Sequence, residues 1–501
     1  MPSRDLILAV DQSTSATKAI LFDGEGKPLR RAAVEHRQYY PSPGFVEHEP
    51  LEILANTRES IRRIVAEGDG ERVAALAITN QRETVLAWDL ETGEPVGRAM
   101  VWQDERGTPY CDRLRAQGHE PEIQSRTGLV LDTYFSAGKL AWLLEHSEEA
   151  ARRARGGTLA AGTIDSWLVW NLTRGSVFAT DVTNACRTLL FNVHTLEWDP
   201  VLIDLFGQNG VVLPEVRHSD ADFGDAKIPE LGGSIPIIGV CGDSHAALFG
   251  QAAFDAGECK ATFGTGSSVM LNVGPRPLEP PPGVVLSLGW GAEGRVEYVF
   301  EGNIHSTGDT VRWVRDNLGL FGDYNEAERR AAALADNGGV YLVPAFNGLG
   351  APHWAHGIRA SISGISRSSG ADHIIRAAFE SIAYQIGDLV DRMKENDHVA
   401  MRDLRVDGGP TVNRFLMQFL CDVLDSPVYV ASIEEISARG VAMFAGLRTG
   451  LYRDREDLRR IAGFSRSYTS AMQRPTRDQL WAGWRAAVTS VLAARCDEQT
   501  Q

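Results

Sequence analysis

Gly242-Asp243-Ser244-His245-Ala246-Ala247-Leu248-Phe249-Gly250 follows the apolar run 235–240. An apolar run that ends at glycine and passes into Ala, Leu and Phe reads as a strand, a turn and a helix start. Asp243 therefore falls at a strand end, where a carboxylate is exposed and firmly held. Repeated alternation of strands and helices along the chain makes the class α/β. Two other turns, rich in glycine and hydroxyl side chains, share the pattern of strand, polar turn, strand. One is Asp11-Gln12-Ser13-Thr14-Ser15, between the runs 6–10 and 17–22. The other is Phe263-Gly264-Thr265-Gly266-Ser267-Ser268, between 260–263 and 268–273. The recurrence reads as a weak internal duplication, one copy opening each half.

A chain of 501 residues is too long for one core and predicts two large domains, 1–252 and 253–501, with the boundary near 250–257. Helices are expected over 139–153, 372–394, 413–424 and 479–494, and 275–282, rich in proline, as a surface loop. The net charge of −16 argues against a nucleic-acid or anionic-membrane partner. It does not argue against a phosphorylated ligand, because local dipoles and a metal can hold phosphate inside an acidic protein. The six cysteines (Cys111, Cys186, Cys241, Cys259, Cys421, Cys496) form no CxxC pair and read as buried free thiols in a reducing cytoplasm. Only five apolar residues precede Asp11, too few for a signal peptide, and no apolar run reaches membrane-spanning length.

Small residues in a turn let backbone N–H groups point at an anion, and hydroxyls add donors. Ser13, Thr14 and Ser15 supply hydroxyls, Lys18 a cation, and Asp11 a carboxylate able to hold Mg²⁺ through water. Thr265 and Gly266 offer the matching grip. In Asp407-Gly408-Gly409-Pro410-Thr411-Val412-Asn413, paired glycines after a strand would let a flat ligand approach the backbone, with a helix N-terminus beginning near Asn413. The same glycines would also serve a turn that needs them for geometry alone.

Arg82 and Glu83 follow the apolar run 73–78. Read alone they are first a surface ion pair; as a site they suit a ligand with several hydroxyls. Trp102 offers a wall against a carbon chain and Tyr134 a hydroxyl; either could instead be core. Asp243 can take the proton of an attacking hydroxyl, or cap the helix that follows it. His245 reads as a packed residue at a helix start. Two phosphate turns and one poised carboxylate are what phosphoryl transfer to an alcohol requires. An ATPase that uses nucleotide only as a conformational switch would need the turns but not the Arg82, Glu83, Trp102, Tyr134 set.

These pieces, in this order, resemble the FGGY carbohydrate kinase family, most of all its glycerol kinase branch. The likeness includes Tyr40-Pro41-Ser42-Pro43-Gly44-Phe45-Val46-Glu47-His48, Thr79-Asn80-Gln81-Arg82-Glu83-Thr84, Tyr134-Phe135-Ser136-Ala137-Gly138-Lys139-Leu140-Ala141-Trp142, and the stretches 183–192, 344–352 and 405–409. The resemblance implies an actin-like ATPase fold, two duplicated ribonuclease-H-like domains flanking a catalytic cleft for ATP, Mg²⁺ and a small polyol or sugar. It implies that Ser13, Thr14, Ser15, Thr265 and Gly266 belong to phosphate turns, and that Gly308, Gly409 and Asn413 contact nucleotide. Arg82, Glu83, Tyr134 and Asp243 would contact the acceptor, with Trp102 as its apolar wall. Lys18 stands where glycerol kinases have Arg, and Arg312 where many have Gln. Ser244 replaces their Gln and Ser268 their Phe, which implies an acceptor pocket roomy enough for a tetritol, pentitol or small ketose. The resemblance also implies a cytoplasmic homo-oligomer, a dimer.

Overall fold

The computed structural model describes residues 4–65, 68–231, 233–355 and 357–494; Cys496 lies outside them. The first large sheet contains β1 (Leu6–Gln12), β2 (Ala16–Phe22), β3 (Pro28–Glu35), β4 (Val73–Asn80), β5 (Asp222–Ile228) and β6 (Gly233–Gly242). Its order is β5-β6-β4-β1-β2-β3. The strands β1, β2 and β3 run antiparallel in turn, β4 is parallel to both β1 and β6, and β5 is antiparallel to β6.

The second sheet contains β7 (Glu258–Phe263), β8 (Ser267–Gly274), β9 (Val285–Ala292), β10 (Arg295–Ile304), β11 (Asp403–Gly408), β12 (Val428–Ala431) and β13 (Phe464–Tyr468). Its order, β9-β10-β8-β7-β11-β12-β13, repeats the first in pattern and direction, with β9 added outside β10. The chain thus has the duplicated ribonuclease-H-like pair of the actin-like fold. Each polar turn joins the first and second strands of its own sheet.

β1 is apolar throughout because both its faces are covered. Leu6, Leu8 and Val10 pack with Ile53 and Ile61 of the helix Pro50–Val65. Ile7 and Ala9 face the other way, against Val441 and Phe444 of the helix Ile436–Thr449. That second helix comes from the C-terminal half, so the halves meet along it. It crosses the helix Asp243–Gly250 so closely that a Cβ on Gly440 would collide with the Ala246 carbonyl.

The expected helix over 139–153 is two helices, Ser136–His146 and Glu148–Gly156. Ser147 turns extended between them, and its Oγ accepts from the Ala150 N–H, capping the second. The expected helix at 479 begins earlier, spanning Arg474–Ala493, with Pro475 in its first turn, where its lack of an N–H costs nothing. The other two run Ala371–Met393 and Arg414–Leu424, and the stretch 275–282 is a loop. The five described cysteines are free and buried. No described helix is long and apolar enough to cross a membrane.

Candidate active site

A cavity of about 440 Å³ opens in the C-terminal half. Thr265, Gly308, Arg312, Gly409 and Asn413 all line it, so five residues singled out from sequence converge on one space. Its apolar floor comes from Val311, Phe379, Ile382 and Leu416, and Tyr324 stands at its edge. Phe379 and Ile382 belong to the long helix Ala371–Met393, whose apolar stripe serves the core and this cavity together. Gly408 has φ +99, and a side chain there would run into the Phe263 carbonyl; the turn leaves the backbone of Gly409 bare. Asn413 caps the helix Arg414–Leu424, its Oδ1 accepting from the Leu416 N–H at 2.8 Å. Gly266 does not line the cavity; its carbonyl closes the turn by accepting from the Gly264 N–H at 2.8 Å.

The first turn lies in the other sheet. Ser13 spends its hydroxyl within the turn, donating to the Ala16 carbonyl at 2.9 Å, while Ser15 is exposed. Thr14 Oγ1 accepts from the Trp102 indole N–H at 3.0 Å. Lys18 Nζ lies between Asp11, at 3.6 Å, and Glu435, at 3.4 Å. Glu435 also pairs with Arg31 at 2.9 Å, so a C-terminal carboxylate reaches into the N-terminal sheet. Burial raises the Asp11 carboxyl to about 6, Lys18 opposing and Asp243 and Glu435 adding to the rise. Glu435 is matched by Arg31 as well as by Lys18, so Asp11 is the carboxylate left for a divalent cation to balance. Among the described residues no group of three or more His, Cys, Asp or Glu could hold a metal alone. Asp11, buried and 3.6 Å from Lys18, offers a carboxylate of the kind a hydrated Mg²⁺ takes.

Arg82 and Glu83 are not a surface ion pair: Arg82 is 5% and Glu83 1% exposed. Neither bonds the other. Arg82 Nη1 donates to Glu301 Oε1 at 2.7 Å and Arg187 Nη1 to Glu301 Oε2 at 2.7 Å; Arg187 Nε donates to Glu83 Oε1 at 2.6 Å. The free edge of Arg82 faces the base candidate, with Nε 3.3 Å from Asp243 Oδ1. Burial would push the Glu301 carboxyl up, but Arg187 and Arg82 bring it down to about 2. Glu83 holds φ 58, an uncommon backbone conformation for a residue other than glycine.

Asp243 opens its helix at the end of β6, its side chain about one-third exposed, and accepts from the Ser244 N–H at 2.6 Å. The helix cap is Gly242, with no side-chain cap bond, so capping does not explain Asp243. Tyr134 packs against Trp102 with ring centroids 5.6 Å apart. Burial and the nearby Glu83 raise its phenol well above the usual range. The buried Lys139 ammonium donates to the carbonyls of Thr133 and Tyr134 at 2.7 and 2.8 Å, fixing that loop. His245 is packed, as expected: fully buried, its Nε2 sits 3.2 Å from Ser287 Oγ, and burial and Arg82 hold it neutral. Ser268 has a buried Oγ with no hydrogen-bond partner.

Two family models cover the chain: the N-terminal domain of the FGGY family of carbohydrate kinases matches residues 6–250, and its C-terminal domain matches 259–448. The chain belongs to the FGGY family of carbohydrate kinases. It is 47% identical to glycerol kinase 1 of Thermotoga maritima, over 97% of this chain and 99% of that one. It is 42% identical to a glycerol kinase of Xanthomonas campestris pv. campestris, over 98% and 99%. The structure of Plasmodium falciparum glycerol kinase with ADP matches with a TM-score of 0.93 at 34% identity, over 98% of this chain and 99% of that one. A gluconate kinase from Lactobacillus acidophilus shares the fold, with a TM-score of 0.85 at 20% identity, over 99% and 97%.

Within this FGGY kinase, five of the residues singled out from sequence line one cavity and Trp102 packs on Tyr134, but sequence reasoning assigned no role to Arg187, Glu301, Glu435 or Lys139. Glu301 carried one signal: a carboxylate directly after the apolar run Tyr298-Val299-Phe300, in a buried stretch of strand. A charge in such a place needs partners.

Proposed function

We propose that the protein transfers the γ-phosphoryl group of ATP to a primary hydroxyl of a polyol, as a glycerol kinase-like enzyme. The observation that carries this reading is the contact of Arg82 with Asp243, beside Glu83, Tyr134 and Trp102, with Trp102 bonded onward to Thr14 of the phosphate turn. A nucleotide switch has no use for that set.

Asp243 accepts the proton of the attacking hydroxyl, a role typically worth on the order of 10²–10⁴-fold in rate. Arg82 and Glu83 orient the polyol, and Trp102 and Tyr134 cover its carbon chain. Adenosine occupies the cavity between Gly308, Gly409 and Asn413, with Arg312 at its rim. Thr14, Ser15, Thr265 and Gly266 hold the phosphates from the two halves, with Lys18 adding charge; Ser13, whose hydroxyl and N–H both donate to the Ala16 carbonyl, shapes the first turn instead. Asp11 would hold Mg²⁺ through water; when bound, the ion neutralises charge on the phosphates. Closure of the halves (1–252 and 253–501) about the joint at Gly440 excludes water as a competing acceptor.

A larger acceptor is the second reading, favoured by Ser268. Its buried, unpartnered hydroxyl would leave glycerol facing an unpaired polar group, whereas a longer polyol could bond it. Here Ser244 and Ser268 together would admit a tetritol, pentitol or small ketose. ADP release measured over glycerol, tetritols, pentitols and ketoses tests both readings. Stimulation by no polyol or sugar would contradict the kinase reading. A highest kcat/KM on glycerol would contradict the larger pocket. The reading includes a cytoplasmic homodimer, which light scattering at working concentration would reveal.

A further inference from the structure

Arg82 has two carboxylates to serve, and the geometry is uneven. Its Nη1 donates to Glu301 at 2.7 Å, while its Nε stands 3.3 Å from Asp243. Glu301 is completely buried and comes from β10 in the second sheet, whereas Arg82 follows β4 in the first. With its second oxygen Glu301 takes Arg187, which in turn holds Glu83. One carboxylate from the C-terminal half thus grips the two arginines behind the acceptor residues.

We propose that Glu301 is a positioning residue for phosphoryl transfer: by engaging Arg82 it keeps that guanidinium from closing onto Asp243, leaving Asp243 free to take the proton of the acceptor. The inference rests on the reading of Asp243 as base. A carboxylate clamped by arginine loses proton affinity and becomes a weaker base. Arg82 is also needed beside the acceptor, so it cannot simply be removed; a second carboxylate that shares its charge meets both demands. The other ionisable groups acting on Asp243 do not substitute for Glu301. Asp11 repels it, Lys260 acts from a buried position without a hydrogen-bond partner, and Cys241 is a buried neutral thiol. Those acting on Glu301 are Arg82 and Arg187, which it bonds, with Lys260, Glu83, Tyr134 and the neutral His245, whose Nε2 lies 4.0 Å away.

Single-turnover transfer from ATP to glycerol, measured from pH 5 to 9, tests this on Glu301→Gln. The charge-balanced double variant Glu301→Gln/Arg187→Gln serves as well, because the single change leaves two buried arginines short of a partner. In both, the fall in rate on the acid side should move to lower pH, by about one unit in the single variant, as Asp243 loses proton affinity. The plateau should drop at least tenfold, while ADP affinity stays within threefold. An acid limb that does not move overturns the proposal, as does failure of the charge-balanced variant to fold, which would make Glu301 a residue of stability alone. Asp243→Asn separates the two levels. An active Asp243→Asn removes the base reading itself, whereas an inactive one with an unmoved limb in Glu301→Gln removes only this inference.

Discussion

The indole N–H of Trp102 donates to Oγ1 of Thr14 over 3.0 Å. The ring we propose as the wall of the acceptor site is therefore bonded to the turn we propose to hold the phosphates. Trp102→Phe keeps an aromatic ring beside Tyr134 and removes this bond, with some of the indole's contact area. A net hydrogen bond is worth about 1 kcal/mol, or roughly fivefold. We expect KM for ATP and for the polyol both to rise by about that factor, with little change in denaturation midpoint. A rise confined to the polyol would show that the bond does not couple the two sites.

Asp11 gives a pH dependence of known sign. Its carboxyl is raised from the ordinary value to about 6, chiefly by burial. The folded chain therefore binds this proton more tightly than the unfolded chain. Stability from that difference is full below about pH 4 and is lost as pH rises through about 6, a change of about 3 kcal/mol. Asp11→Asn does not ionise. It should be more stable than the parent at pH 7.5 and converge with it near pH 4, as denaturant titrations at both values would show. Mg²⁺ added to the nucleotide-bound protein should stabilise the parent further and the variant little, and the variant should lose most of its activity.

Lys139 holds the loop carrying Tyr134 through two carbonyls. Lys139→Met fills similar volume and leaves both carbonyls unbonded. The polyol KM should rise at least tenfold, with the affinity for ADP unchanged, because the cavity formed by Gly308, Gly409 and Asn413 lies in the other half. Titration calorimetry with ADP, beside steady-state kinetics, separates the two sites.

The fold was legible because its signals are local. Buried strands announce themselves as apolar runs, and both polar turns sit where β1 and β7 end. The single helix expected over 139–153 failed for the opposite reason. Ser147 ends one helix and caps the next, and serine is tolerated inside helices too often to mark a break. Within the site, Asp243 and Gly409 stand at strand ends and could be picked out singly. The partners of Arg82 could not. Glu301 is distant in the chain and meets Arg82 only when the two sheets are assembled. For the same reason the pair Arg82–Glu83, adjacent in sequence, suggested a mutual contact that the folded chain does not make.

At Gly440 the halves touch closely, against the Ala246 carbonyl. Gly440→Ala should force the helices Asp243–Gly250 and Ile436–Thr449 apart and cost about 1–3 kcal/mol, the usual range for overpacking. The denaturation midpoint should fall accordingly. Because the displaced helix begins with Asp243, kcat should fall more than ATP KM rises.

Replacing Asp243 by Asn and following phosphoryl transfer from ATP to polyol in a single turnover is the most direct measurement. Loss of the proton acceptor should slow transfer by on the order of 10²–10⁴-fold while ADP still binds with the parent's affinity. Transfer within tenfold of the parent would mean that the carboxylate beside Arg82 does not take the hydroxyl proton.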